Sequence, residues 1–301
     1  MASGGTGAVM AAMIANAIIA VAKFVAAAVT GSSAMFSEGI HSVADTGNQA
    51  LLLFGDRRSR KAADRRHPFG YGPEMYFWSL IVAMILFGLG GGFSLYEGLS
   101  HLGHAEVPGD PLWNYAVLGV AFVVEAVALK VALDHLFAGG RSGDGFWRRF
   151  RESKDPRVYV PVAEDAAALL GVVVAFLGVF LARRLEAPVL DAVSSIVIGF
   201  ILAGVAVFLA WETRALMVGE SIGGRLEERI RAACVGDPAV AEVVSVRGMH
   251  LGPEEILLAL ELRFVADGGE ASAAEVVDRI EQRVREVDPR LTRVLVEPEG
   301  R

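Results

Sequence analysis

Five polar side chains follow one another at short intervals within an otherwise apolar part of the chain. They are Glu38, His41, Asp45, Asn48 and Gln49, in the sequence EGIHSVADTGNQ. In a helix, spacings of three and four residues place them in one stripe along one face. Lipid would leave such a stripe unsatisfied, so we expect it to face a bundle interior or a water-filled cavity.

The side-chain types in this stripe favour metal binding. His41 and Asp45 are one helical turn apart and can converge on one divalent cation. The segment VAEDAAALLG adds Glu164 and Asp165, and a carboxylate from this second helix would complete three protein ligands of a kind that suits Zn²⁺. An aspartate at the centre of a bilayer costs about 2.5–3.5 kcal/mol, so stability does not explain these residues. Two other interpretations stay open, namely a polar cluster that only holds helices together and a path for protons or an organic substrate.

The composition is that of a membrane protein with a soluble part. The chain has 301 residues, of which 53% are hydrophobic, and its mean hydropathy is +0.46. A single cysteine excludes a disulfide framework and a cysteine-rich zinc site. The net charge is −7, and the basic residues of the membrane part lie mainly in short loops and not in a patch large enough for a nucleic acid, so we do not expect a nucleic-acid partner. A nucleophile–base pair and a phosphate-binding loop are both lacking in the sequence, so we do not expect an enzyme.

Six apolar segments are long enough to cross a bilayer of about 30 Å. They are residues 8–30, 34–55, 75–100, 113–137, 158–182 and 188–211. We interpret the first as a span and not as a cleaved signal. The sequence changes character near residue 212, where alternating and amphipathic segments follow in the order helix, strand, strand, helix, strand. We therefore predict an all-α six-helix transmembrane bundle at residues 1–211 and a C-terminal α+β domain of ferredoxin-like type at residues 212–301.

The distribution of basic residues in short loops predicts the orientation. The loops after the second and fourth segments each carry six Lys or Arg residues, whereas the first and third loops carry none. By the positive-inside rule both basic loops are cytoplasmic, and so are the two termini and the soluble domain. Lys23, Glu125 and Lys130 are further ionisable residues in apolar segments, which we expect to pair or to reach the interface, with Glu125 a candidate for a proton path.

Three motifs resemble the cation diffusion facilitator family of divalent metal/proton antiporters. They are GSSAMFSEGIHSVADTGNQ, HPFGYG at residues 67–72, and SKDP followed by EDAAALLG, the last being similar to the subgroup with the mitochondrial-type zinc transporters. The resemblance implies a homodimer in a membrane, and we expect that membrane to be a bacterial inner or cell membrane. It also implies export of Zn²⁺ as the transported substrate, in exchange for protons, by alternating access. Transport of another divalent cation (Mn²⁺, Co²⁺ or Fe²⁺), or a non-transporting membrane sensor or scaffold, stays open as an alternative.

The resemblance also implies a ligand set. His41 and Asp45 match the transport-site positions on the second helix, and Asp165 matches the acidic position on the fifth. Many members have a histidine where this chain has Pro161, so Glu164, water, Asn48 or Gln49 must fill the fourth position. A second ion site of some members would use Asp64 and His67 here, but its third position is Tyr71. We prefer to interpret that segment as a turn leading into the third helix.

Overall fold

A computed structural model describes residues 3–103, 111–138, 145–265 and 273–299. The chain divides into two compact units. The first comprises the described residues of Met1–Asp56 and Phe77–Thr213, and the second those of Arg57–Tyr76 and Arg214–Arg301. The segment between the second and third helices therefore groups with the C-terminal residues.

The first unit is helical throughout its described part. Its elements, some of which extend into the second unit, are α1 (Ser3–Thr30), α2 (Ser33–Ser59), α3 (Glu74–Ile85), a π-helical turn (Leu86–Gly92), α4 (Phe93–His101), α5 (Pro111–Ala138), α6 (Phe146–Glu152), α7 (Pro156–Arg184) and α8 (Val189–Val218). The helix α7 starts where its sequence favours a start, because Asp155 accepts a hydrogen bond from the Arg157 amide and Pro156 occupies the first turn.

Four described segments are long and apolar enough to cross a membrane. They are Glu74–His101, Leu112–Ala138, Pro156–Arg184 and Val189–Val218. The prediction of a multi-pass membrane protein is thereby confirmed. Of the other two predicted spans, α1 contributes a shorter apolar stretch at Asn16–Thr30, and α2 carries the polar stripe, which makes it less apolar than these four segments.

Glycines let the backbones of α4 and of the preceding π-helical turn come into close contact with the backbone of α8. A Cβ atom added at Gly98 would lie 2.8 Å from the carbonyl oxygen of Ala192, and one at Gly199 would lie 2.8 Å from the backbone nitrogen of Leu95. At Gly91 the added atom would meet the backbone of Ala203 at 2.9 Å. Small residues at such crossings are typical of membrane helices, whose association depends on close packing.

The second unit contains a three-stranded sheet and two helices among its described residues. They are α9 (Gly224–Val235), β1 (Val240–Gly252), β2 (Glu255–Phe264), α10 (Ala273–Val287) and β3 (Arg293–Pro298). The predicted order of helix, strand, strand, helix, strand is confirmed. The strand β2 is central, antiparallel to β1 and parallel to β3. Alternate residues of β2 from Ile256 to Leu262 form a core with Ile230 and Ile280.

The segment between α2 and α3 packs on this sheet unit. A Cβ atom at Gly72 would collide with the carbonyl group of Leu251, so only glycine fits there. The Arg293 guanidinium lies 5.4 Å from the centre of the Phe69 ring. A ferredoxin-like sheet has four strands, whereas three are formed by the described residues of this unit.

Candidate functional site

The polar stripe of α2 faces the interior of the helical unit. Glu38, His41 and Asn48 have no exposed surface, and Asp45 is 7% exposed. Val43, on the opposite side of the helix, is 50% exposed. The prediction that the stripe lies in the bundle interior is confirmed.

His41 and Asp45 form a pair whose hydrogen-bonding capacity is largely unused. Nε2 of His41 lies 3.4 Å from Oδ2 of Asp45. Neither ring nitrogen of His41 has a hydrogen-bond partner, and neither does Oδ1 of Asp45. A buried polar group left unsatisfied costs about 1–3 kcal/mol. The pair therefore has two ring nitrogens and a carboxylate oxygen without partners in the bundle interior.

On α7, Glu164 and Asp165 differ in their burial, and Glu164 is hydrogen-bonded to α2. Oε1 of Glu164 accepts a hydrogen bond of 2.7 Å from Nδ2 of Asn48, and Glu164 is 4% exposed. Asp165 is half-buried. Asp45 interacts electrostatically with Glu164, Glu125 and Asp165. The structure thus gathers carboxylates from α2, α5 and α7 into one region.

Amide oxygens complete the polar surroundings. Oδ1 of Asn48 and Oε1 of Gln49 are buried and have no hydrogen-bond partner. Even so, no group of three His, Cys, Asp or Glu side chains among the described residues is arranged to hold a metal ion. Glu164 interacts electrostatically with Asp45, but its hydrogen bond is with Asn48.

A buried ion pair adjoins the stripe. Nζ of Lys23 donates hydrogen bonds of 2.8 Å to Oε2 of Glu38 and of 2.9 Å to Oγ of Ser42. The expectation that Lys23 pairs is confirmed, but the sequence did not identify Glu38 as its partner. The signal was present in two places, as a lysine in an apolar helix and as a carboxylate at the start of the stripe.

Asp191 positions the start of α2, a role that the sequence analysis missed. Its carboxylate accepts hydrogen bonds of 2.7 Å from Oγ of Ser32 and from the amide of Ser33, and one of 3.4 Å from the amide of Ala34. The first amides of a helix have no partner within it, so a carboxylate there satisfies them and complements the helix dipole. An acidic residue in the first turn of an apolar span was the available signal.

The pair considered for a second ion site lies in the segment between α2 and α3. Nδ1 of His67 is 3.8 Å from Oδ1 of Asp64. The Asp64 carboxylate accepts hydrogen bonds from the amides of His67 and Arg66, from Tyr71 and from Lys61. These bonds, first of all that from the His67 amide, hold the pKa of Asp64 well below its usual range. Asp64 thus organises a turn, in agreement with the interpretation that we preferred, and a second ion site at Asp64 and His67 stays the less favoured alternative.

Fold and site together define the class, a multi-pass membrane protein with an ionisable site buried among its helices. The family model described as "Cation efflux transmembrane domain" matches residues 9–218, and the chain belongs to the cation efflux family. The predicted family membership is confirmed, and this is a family of transporters and not of enzymes.

Named relatives agree with this assignment. The chain is 34% identical to the "Proton-coupled zinc antiporter SLC30A9, mitochondrial" of Homo sapiens over 85% of its own length and 45% of the relative's. It is 30% identical to the "Metal tolerance protein C4" of Arabidopsis thaliana over 78% of its length and 52% of the relative's. It is 23% identical to "Magnetosome protein MamB" of Magnetospirillum gryphiswaldense, covering 89% and 86% of the two chains. The chain spans about half the length of the first two relatives, and its predicted likeness to the mitochondrial zinc transporter subgroup is confirmed.

Proposed function

We propose that this chain exports a divalent cation, with zinc as the preferred substrate, in exchange for protons. The observation that carries the proposal is the buried His41–Asp45 pair, whose nitrogen and oxygen atoms lack partners. Membership of the cation efflux family and similarity to a protein named as a proton-coupled zinc antiporter support it.

The geometry of the pair suits zinc. Two ligand atoms at about 2.0–2.2 Å from one tetrahedral zinc ion lie about 3.3–3.6 Å apart. Nε2 of His41 and Oδ2 of Asp45 are 3.4 Å apart, so a zinc ion can bind both with little movement of either side chain. Nε2 of His41 and Oδ2 of Asp45 would be two of the protein ligands.

The sequence predicts Asp165 as the third ligand beside His41 and Asp45. We prefer Glu164, because it is buried and accepts a hydrogen bond from Asn48 of the stripe, whereas Asp165 is half-buried. The Glu164 carboxylate now accepts a hydrogen bond from Asn48, and this bond must break before Glu164 can bind the cation. Asp165, the side-chain oxygens of Asn48 and Gln49, and water are the groups available for the fourth position. Metal binding requires a neutral imidazole and ionised carboxylates, so loading the site releases protons. Protons arriving from the other side compete for the same atoms and discharge the cation, which couples the two fluxes.

The proposal also covers the number of membrane spans, the fold of the C-terminal unit and the oligomeric state. We infer that α1 and α2 cross the membrane together with the four apolar spans, which gives six helices with both termini in the cytoplasm of a bacterial cell. The C-terminal unit would be a ferredoxin-like domain that lacks its first strand: in the complete fold that strand lies between the last two strands, which are parallel, and here β2 and β3 are parallel and pair directly. We further propose that the transporter is a homodimer and that it works by alternating access.

Two alternatives make different predictions. A transporter of Mn²⁺, Co²⁺ or Fe²⁺ would favour that cation over zinc in a competition panel; His41 argues against Mn²⁺, which prefers oxygen ligands. A sensor or scaffold would bind metal without moving it across a membrane.

Purified protein in liposomes tests the proposal directly. We expect zinc entry, reported by a fluorescent zinc indicator inside the vesicles, to depend on an opposing proton gradient reported by a pH-sensitive dye. His41→Ala and Asp45→Asn should reduce both fluxes to the level of empty vesicles. Asp134→Asn is the matched control, because Asp134 is an exposed carboxylate on α5 that pairs with Lys130. Full zinc flux in Asp45→Asn would overturn the site assignment.

A further inference from the structure

Lys23 is a completely buried cation in an apolar helix. Its relative exposure is 0%, as is that of its partner Glu38, and their charged atoms are 2.8 Å apart. Breaking a buried pair by removing one partner is costly, whereas apolar residues of similar size often replace both without loss of stability. Packing alone therefore does not explain why the chain holds these two charges here.

The second carboxylate oxygen of Glu38 lies against a glycine of a third helix. Its Oε1 atom has no hydrogen-bond partner and lies against Gly171 of α7, where an added Cβ atom would collide with it. Lys23 on α1, Glu38 on α2 and Gly171 on α7 thus form a three-helix contact. Three helices meet at this ion pair, one turn away from His41.

The Lys23 ammonium also acts on the site itself. Its second hydrogen bond goes to Ser42, which lies next to His41 in the sequence. Lys23 interacts electrostatically with His41 and Asp45 of α2 and with Glu125 of α5. The remaining charged groups that face the region are Glu164 and Asp165 on α7. A fixed positive charge therefore lies beside a site built from carboxylates and an imidazole.

We infer that Lys23 and Glu38 form a fixed charge pair that sets the affinity of the neighbouring site for a divalent cation. This inference rests on the proposed function. The ammonium of Lys23 repels the cargo and weakens its binding, so that a cation held by several carboxylates can still leave. Glu38 opposes that effect and holds the ammonium in place.

The expected size of the effect is large enough to measure. A unit charge at about 10 Å from a divalent cation changes the affinity roughly 200-fold where the effective dielectric constant is about 20, and roughly tenfold in wetter surroundings where it is about 40. Neutralising Lys23 and neutralising Glu38 should move the affinity in opposite directions. A pair that only holds helices together would give losses of the same sign for both changes.

The test measures zinc binding to the purified full chain in detergent by titration calorimetry, and zinc flux in liposomes. We expect Lys23→Met to bind zinc about tenfold more tightly and to transport it more slowly, because release is impeded. We expect Glu38→Gln to bind zinc about tenfold more weakly. The double variant Lys23→Met/Glu38→Gln, which keeps the volumes and removes both charges, should return to within about threefold of the parent's affinity.

The result that overturns the inference is a shift of the same sign in both single variants, or no shift in either. If one single variant does not fold, the double variant and the other single variant still decide, since their affinities must differ in the stated direction. Failure of the proposed function looks different, because then the unmodified chain neither binds nor transports zinc.

Discussion

The side-chain amide of Asn48 on α2 donates a hydrogen bond of 2.7 Å to Oε1 of Glu164 on α7. Through this bond the polar stripe meets the helix that bears the two adjacent carboxylates. Glu164 is buried at the contact, and its neighbour Asp165 is half-buried. The two acids are therefore not equivalent, although they are consecutive in sequence.

We predict unequal effects of neutralising them. Glu164→Gln keeps an oxygen that can accept from Asn48 but removes a charged ligand, so zinc affinity should fall by about tenfold or more. Asp165→Asn should lower it by less. Calorimetric titration of the two variants with zinc checks the order. The reverse order would make Asp165 the third ligand and Glu164 a supporting residue.

Gly171 should be intolerant of even one added methyl group. Gly171→Ala places a Cβ atom against Oε1 of Glu38, and its neighbours must shift to relieve the clash. We expect a destabilisation of about 1–3 kcal/mol, together with slower zinc flux. Thermal unfolding in detergent measures the first and the liposome assay the second. Gly119→Ala on α5 is the matched control, because an added atom there has no neighbour within 4 Å among the described residues.

The carboxylate of Asp191 should be needed for the first turn of α2. In Asp191→Ala the amide of Ser33 and the hydroxyl of Ser32 lose their acceptor. Loss of a cap costs about 0.5–2 kcal/mol, so the melting temperature in detergent should fall. Asp134→Ala removes an exposed carboxylate paired at i,i+4 and should change stability by no more than about 0.5 kcal/mol. Equal melting temperatures for the two variants would contradict the capping role.

Asp237 should stabilise the C-terminal unit. It is buried, and Arg279 donates to it with bonds of 2.5 and 2.9 Å. Those bonds lower the pKa of Asp237 from 3.8 to about 2. Asp237→Asn should cost about 1–3 kcal/mol at neutral pH, with exposed Asp278→Asn of α10 as the control. A lowered pKa stabilises the fold above pH 3.8 and ceases to do so as the pH falls towards 2, so the difference between parent and variant should shrink over that interval.

The rate at which the single cysteine is alkylated measures how often the C-terminal unit opens. Cys234 is buried, and burial raises the pKa of its thiol to about 11, so at pH 8 an alkylating reagent reacts only after the unit opens. Labelling of Asp237→Asn should be about 5- to 150-fold faster than that of the parent. An unchanged labelling rate would show that Asp237 does not hold this unit together.

Much of the architecture follows from periodicity. The polar stripe repeats at three and four residues, and this spacing alone predicts its burial on one side of α2. In β2, apolar residues at Ile256 and every second position to Leu262 predict a strand with one face in a core. These features depend on local geometry, which the sequence contains directly.

The missed features depend on how helices are rotated against one another. Nothing local aligns Lys23 of α1 with Glu38 of α2, because that pairing is set by the packing of the two helices. Glu164 and Asp165 are about 100° apart around a helix, so a small rotation of α7 exchanges the one that faces α2. The capping role of Asp191 also depends on helix packing, because Asp191 can cap α2 only when the start of α8 lies beside the start of α2.

The glycine contacts between α4 and α8 limit how this molecule can move. Where Gly98 and Gly199 bring two backbones together, the layer of flexible side chains that lets one helix slide past another is missing. We therefore expect α4 and α8 to move as a single rigid body. The polar bonds of α2 with its neighbours, in contrast, can be exchanged one for another. A rearrangement that exposes the site first to one side and then to the other would therefore move α2, while α4 and α8 keep their positions relative to each other.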